Sequence, residues 1–74
     1  MPGKPMKKLE ALASETDIRL REIRGGRDGE GNYVATAVVQ RGQVTRKITN
    51  TDNDAAEAVD GLADVAREVF AGKL

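Results

Sequence analysis

The chain reads as a small α+β domain of the order α-β-β-β-α, a three-stranded antiparallel sheet with a long C-terminal helix packed on one face. Three observations carry this. Apolar residues recur at helical spacing near both ends, at Met6, Leu9, Leu12 and Ala13 and again at Val59, Leu62, Ala66, Val69 and Phe70. They alternate in the middle, at Ile18 and Leu20 and at Ala35, Ala37 and Val39. Glycine-containing polar stretches separate the alternating runs. A length of 74 residues allows one core, so the expected organisation is a disordered tail over 1–4 and one domain over 5–74.

Taken in order, Pro5 suits the first position of a helix, which loses nothing by lacking an N–H, and Ser14, Thr16 and Asp17 end it by competing for nearby backbone groups. From Asp17 the period becomes two: Ile18 and Leu20 point one way, Arg19 and Arg21 the other. Residues Gly25 to Asn32 hold four glycines and no apolar side chain, which predicts a long flexible hairpin loop. It runs into a strand rather than a helix and lacks a Gly-Lys-Ser/Thr ending, so it is not a phosphate loop. Neither Asp28-Gly29-Glu30 nor Asp52-Asn53-Asp54 continues as a calcium-binding loop.

The second strand runs from Tyr33 to Gln40. A two-residue turn at Arg41-Gly42 leads into the third, from Gln43 to Thr49, and opposes Val39 to Val44, Ala37 to Arg46 and Ala35 to Ile48. One sheet face is then apolar, with Ala35, Ala37, Val39, Val44 and Ile48 joined by Ile18 and Leu20. Arg46 and Glu22 share that facing, Arg46 at the sheet margin with its charge reaching water. The other face holds Arg19, Arg21, Lys47, Thr36, Thr45 and Thr49 around Val34 and Val38, with Ile23 extending the apolar stripe. Asp54-Ala55-Ala56-Glu57 has capping-box spacing and opens a helix running to Ala71, with Gly72 as its cap. Gly61, inside that helix, reads as tolerated drift. Tyr33 and Phe70 belong to the core or its margin.

Composition narrows the chemistry. With no His and no Cys there is no Cys/His zinc site, thiol nucleophile or imidazole base, and Ser14, the only serine, has no base to activate it. No enzyme, cofactor or metal is expected. No apolar stretch reaches the roughly 18 residues that span a bilayer, so no membrane association is expected and a cytoplasmic location is. The 12 Lys+Arg balance the 12 Asp+Glu, but unevenly: residues 1 to 47 carry +4 and residues 48 to 74 carry −4.

The order of elements, with Leu9-Glu10-Ala11-Leu12-Ala13 as a first helix, Asn32-Tyr33-Val34-Ala35-Thr36-Ala37-Val38-Val39 as a second strand and an alanine-rich helix from Ala55 to Phe70, resembles the double-stranded RNA-binding domain over nearly the whole chain. That family's RNA contacts lie on the first helix, where Glu10 corresponds, on a His-containing loop between the first two strands, and on a lysine-rich start of the second helix. Here Gly25 to Gly31 lacks His and the helix opens Asn53-Asp54-Ala55-Ala56-Glu57, where carboxylates repel phosphates. The resemblance therefore implies the fold and not duplex-RNA binding. Gly31-Asn32-Tyr33-Val34 leading into a hairpin and an alanine-rich helix is also similar in style to small phage anti-CRISPR proteins and to antitoxins of the HicB kind, which act by occupying another molecule's surface.

The expected function is thus a non-catalytic module acting by protein–protein contact, a phage or mobile-element inhibitor being one such role and a homodimer one such contact. Arg19, Arg21, Val34, Val38 and Lys47 are the expected partner-binding residues. The alternative is a nucleic-acid binder in which the same basic face is joined by Arg24, Arg27 and Arg41, placed near hairpin ends. The pI near 6.2 and the lack of aromatic stacking platforms weigh against it.

Overall fold

Residues 6–71, the part that the computed structural model describes, form α1 (Lys7–Glu15), β1 (Arg19–Arg27), β2 (Tyr33–Arg41), β3 (Val44–Asp52), α2 (Ala55–Asp60) and α3 (Leu62–Phe70). This is the expected α+β architecture. The strands make one antiparallel sheet in the order β1-β2-β3, α2 and α3 cross β2 and β3 on one face, and α1 leans on both helices beside β1. The tail expected at 1–4, the helix-opening Pro5 and the cap at Gly72 lie outside the described residues.

The core consists of Leu12, Ile18, Ala35, Ala37, Val39, Ile48, Ala58, Leu62, Ala63 and Ala66, all buried. Alanines are buried on both sides of the sheet–helix contact, Ala35 and Ala37 on β2 and Ala58, Ala63 and Ala66 on the helices, so the helix backbone can approach the sheet closely, and Leu12, Val39 and Leu62 supply the largest fully buried side chains. Leu9, Leu20, Tyr33, Val59, Val65, Val69 and Phe70 pack around this centre, which agrees with the place the sequence gives Tyr33 and Phe70. The end of α1 follows from its polar residues. The Thr16 hydroxyl donates to the Leu12 carbonyl at 2.6 Å and accepts from the Ile18 N–H at 3.0 Å, turning the chain from helix into strand.

Four local expectations are corrected. The tight turn is Gly42-Gln43, with Gly42 at φ 61°, because β2 and β3 pair Arg41 with Val44, Val39 with Arg46 and Ala37 with Ile48. That register lies two residues from the expected one, so every side chain keeps its face while Val44 moves out beyond the core, 44% exposed. Arg46 stays at the margin, exposed, its guanidinium donating to the Thr45 carbonyl at 2.9 Å.

The glycine stretch is largely strand. β1 continues through Gly25, Gly26 and Arg27, and the Tyr33 ring covers Gly25 so closely that a Cβ there would fall 2.3 Å from its hydroxyl oxygen. The remaining loop, 28–32, is well bonded. Asp28 Oδ1 accepts from the N–H groups of Glu30 (2.8 Å) and Asn32 (3.0 Å), the Asp28 N–H donates to the Asn32 carbonyl at 2.8 Å, and Gly31 takes φ 88°.

A β-bulge interrupts β1 between Arg21 and Arg24, where Glu22 and Ile23 together oppose Ala37. Glu22 adopts φ 52°, a left-handed backbone that L-residues seldom take. The extra residue exchanges the expected facings. Glu22 lines a depression with Arg24, Thr36, Val38 and Lys47, whereas Ile23 turns to the helix side and lines a groove with Leu9, Leu12 and Leu20.

The C-terminal helix is bent at Gly61 rather than continuous, and the bend has a cause. Asn50 on β3 donates from Nδ2 to the Ala58 carbonyl at 2.9 Å, inserting a side chain beside the helix ladder. A Cβ at Gly61 would lie 2.3 Å from that nitrogen. Gly61 is therefore a point of close approach, not drift.

Candidate interaction surface on the open sheet face

The helices cover one side of the sheet, and strand alternation together with the bulge decides what the other side shows. β2 contributes Val34, Thr36, Val38 and Gln40 to this open face. β1 contributes Arg19 opposite Gln40, Arg21 opposite Val38, Arg24 opposite Thr36 and Gly26 opposite Val34. β3 contributes Thr45, Lys47, Thr49 and Thr51. Val34, Thr36 and Val38 are half-buried, while the cations are exposed.

The central row runs straight across the three strands as Arg21, Val38, Lys47. Since neighbouring strands lie about 4.8 Å apart, the two cations are anchored about 10 Å from each other with a valine between them. Along β2, Val34 and Val38 are four residues apart, about 13 Å. The face therefore has two valines along β2, with positive charge on both sides of Val38 and Gly26 and Thr51 beside Val34. Lys47, Val38, Thr36, Arg24 and Glu22 also enclose the depression noted above, about 280 Å³.

The cations differ in how they are held. Arg19 donates to the carbonyls of Thr16 (3.0 Å) and Ile18 (2.9 Å), which ties its guanidinium to the α1–β1 link. Arg24 lies 3.9 Å from Glu22, a loose contact between exposed groups. Glu22 is the acidic group of this depression, so it offsets Arg24 and leaves Arg21 and Lys47 to set the potential of the central row.

Of the residues expected at this site, Arg21, Val34, Val38 and Lys47 share the face and the bulge brings Arg24 to join them, whereas Arg19, in register opposite Gln40, turns its guanidinium to the α1–β1 link and lines the grooves beside Ile18. Arg27 and Arg41 stand apart. Arg27 is opposite Tyr33, lies over its ring at 5.9 Å from the centroid and donates to the Gly31 carbonyl at 3.0 Å. Arg41 pairs with Asp17 at 3.0 Å beside an open depression of about 710 Å³ that also holds Arg67, paired with Glu15 at 3.3 Å, and Phe70. Ser14, on the rim of that depression, spends its hydroxyl on the Ala11 carbonyl at 3.3 Å.

No family model, curated protein or solved structure matches this chain.

The opposite layer carries opposite charge. Glu57, Asp64 and Glu68 are exposed on α2 and α3, and among the described residues no helix is long and apolar enough to cross a membrane. Sequence reasoning did not find Glu22 or the placement of Arg24, although Ile23, three residues after Leu20 in a period-two segment, is the out-of-phase signal that marks the bulge.

Proposed function

We propose that this chain is a non-catalytic binding module that holds an acidic protein partner on its open sheet face. The observation that supports it is the Arg21–Val38–Lys47 row, an apolar centre with a cation on each side, built on paired strands rather than on a loop. Apolar area at the centre and charge at the rim is the usual anatomy of a protein interface, in which the centre supplies affinity and the rim supplies steering and register. Occupying a partner's surface, as an inhibitor does, needs no chemistry beyond this.

The test compares the native chain with one reversed at Arg21 and Lys47 to Glu. Exposed charges contribute little to stability, so both fold, as circular dichroism checks. Capture from native lysate should recover a protein with the first and lose it with the second. Duplex DNA and RNA are titrated in parallel across a salt series. Tight duplex binding with a steep salt dependence would replace a protein partner by a nucleic acid, and equal capture by both chains would remove this face from consideration.

A further inference from the structure

From the dimensions of the same face, and resting on the reading just given, we infer that the occupant is an acidic amphipathic α-helix lying along β2. Three features converge on it. The cations of the central row are anchored about 10 Å apart, which matches the 10–12 Å diameter of an α-helix with its side chains. The distance from Val34 to Val38, about 13 Å, is close to the roughly 10–12 Å between helix positions i and i+7 or i+8, so one apolar stripe can cover both valines. Positive charge lies on both sides of that stripe at Val38, from Arg21 on β1 and Lys47 on β3, so the complementary helix carries carboxylates on both flanks there.

Other occupants fit less well. A lone strand laid over a sheet face would leave its own N–H and C=O groups without ladder partners, whereas a helix satisfies them internally. A nucleic-acid backbone would meet Val34, Val38 and the threonines at the centre of the face, where no donor of positive charge stands. A second copy of this chain offers exposed acids on α2 and α3, but Leu62 there is buried and Val59, Val65, Val69 and Phe70 are partly buried against their own core, which leaves no free apolar stripe of the required length. Glu22 also gives the face a polarity along its length. Its carboxylate lies 3.9 Å from Arg24 and lowers the net positive charge there, so the carboxylates of the bound helix concentrate beside Arg21 and Lys47.

The test is selection on the intact, folded chain from a displayed library of helical peptides about 20 residues long, with leucines fixed at i, i+4 and i+7 and the flanking positions varied among Glu, Gln and Lys. At about 0.15 M salt the expected winners carry Glu on both flanks. Their dissociation constants should rise about tenfold or more with the Arg21→Gln and Lys47→Gln pair of changes, and again with Val38→Thr, each variant checked by circular dichroism. Winners with Gln or Lys flanks, or no winners, overturn the acidic helix while leaving the face itself to the capture experiment. Acidic winners that bind all variants equally overturn both, since they would be docking elsewhere.

Discussion

Asp60, the last residue of α2, accepts hydrogen bonds at Oδ1 from the backbone N–H groups of Leu9 (3.0 Å) and Lys8 (3.1 Å), and so caps the N-terminus of a different helix. The N-cap residue of α1, Met6, provides no side-chain acceptor. The first N–H groups of a helix have no partner within it, and a carboxylate there also meets the positive end of the helix dipole. A capping group that belongs to another element makes the formation of α1 dependent on the docking of α2.

Removing this cap should therefore undock α1. Asp60→Ala is expected to cost about 1–2 kcal/mol, the upper part of the range for cap deletions, or a drop in melting temperature of roughly 4–16 °C for a domain of this size. Asp60→Asn keeps an acceptor and should lose less. Thermal melts of the two variants, with amide exchange at Lys8 and Leu9, check the order. Equal melting of Ala and native chains would mean that the cap contributes nothing.

The neighbouring ion pair makes a prediction about pH. Lys8 Nζ lies 2.9 Å from Asp64 Oδ2, and the hydrogen bond and charge of Asp64, with smaller help from Asp60 and Glu57, raise the lysine pKa above its ordinary 10.5. A pKa raised in the folded state means that the contribution is fully present below 10.5 and is lost as pH rises through the folded value. Both side chains are exposed, so salt screens the pair. An NMR titration of Lys8 should show its pKa fall toward the ordinary value in Asp64→Asn and at high salt, and an unchanged pKa would discount the pair.

Gly61 reverses the usual rule for glycine in helices. Alanine normally gains about 1 kcal/mol at such a site, but here the added methyl would meet Asn50 Nδ2 and displace it from the Ala58 carbonyl. Gly61→Ala is expected to destabilise by about 1–2 kcal/mol, and by distinctly less in an Asn50→Ala background, the signature of two groups sharing one space. A double-mutant cycle in urea measures the coupling, and additive effects would refute it.

Leu62 carries the plainest stability prediction. It is fully buried just after the bend, among the largest side chains of a core otherwise rich in alanine. Leu62→Ala should cost about 2–5 kcal/mol, enough to unfold much of so small a domain at room temperature. An unchanged midpoint in denaturant would show that this helix does not hold the sheet.

What the sequence made legible follows from which interactions are local. Helical and alternating periods identified the five apolar segments, and the Asp54 cap, whose Oδ1 accepts from the Ala56 N–H at 2.8 Å, was visible in its own four residues. The facing of Arg21, Val34, Val38 and Lys47 was equally visible, because the β3 register moved by two residues and facing survives an even shift. What escaped is non-local. Asp60 acts on a helix 51 residues away, Asn50 shapes a bend from another element, and Tyr33 turns Gly25 from loop into strand by lying across it. Asp60 and Leu9 share no window of sequence, while Asn50 and Ala58, and Gly25 and Tyr33, are close in the chain but sit on different elements, a pairing that the periodicity of one element does not report.

Glu22 offers the sharpest test of how the open face is built, since it is the one residue in excess in β1. Up to Arg21 the even-numbered residues face the helices; beyond the bulge Gly25 and Arg27, opposite Ala35 and Tyr33, take that facing. Deleting Glu22 would place Ile23 alone opposite Ala37, on the helix side it already occupies, and would leave Arg21 opposite Val38 and Arg24 opposite Thr36. The chain would then pair without interruption. Left-handed backbone costs an L-residue about 1–2 kcal/mol, and the deletion removes that strain while giving up the local twist that the bulge adds. The two effects oppose each other, so the deleted chain is expected to fold with a stability within about 1 kcal/mol of the parent. The face would change more than the fold, because Arg24 loses its neighbouring carboxylate and the surface becomes more basic. An unbroken ladder of cross-strand NOEs and protected amides from Arg21–Val38 to Arg24–Thr36, interrupted in the parent, would confirm the regular register, and urea unfolding would give the stability. A deletion chain that fails to fold would show instead that the bulge is required for the sheet to curve beneath its helices.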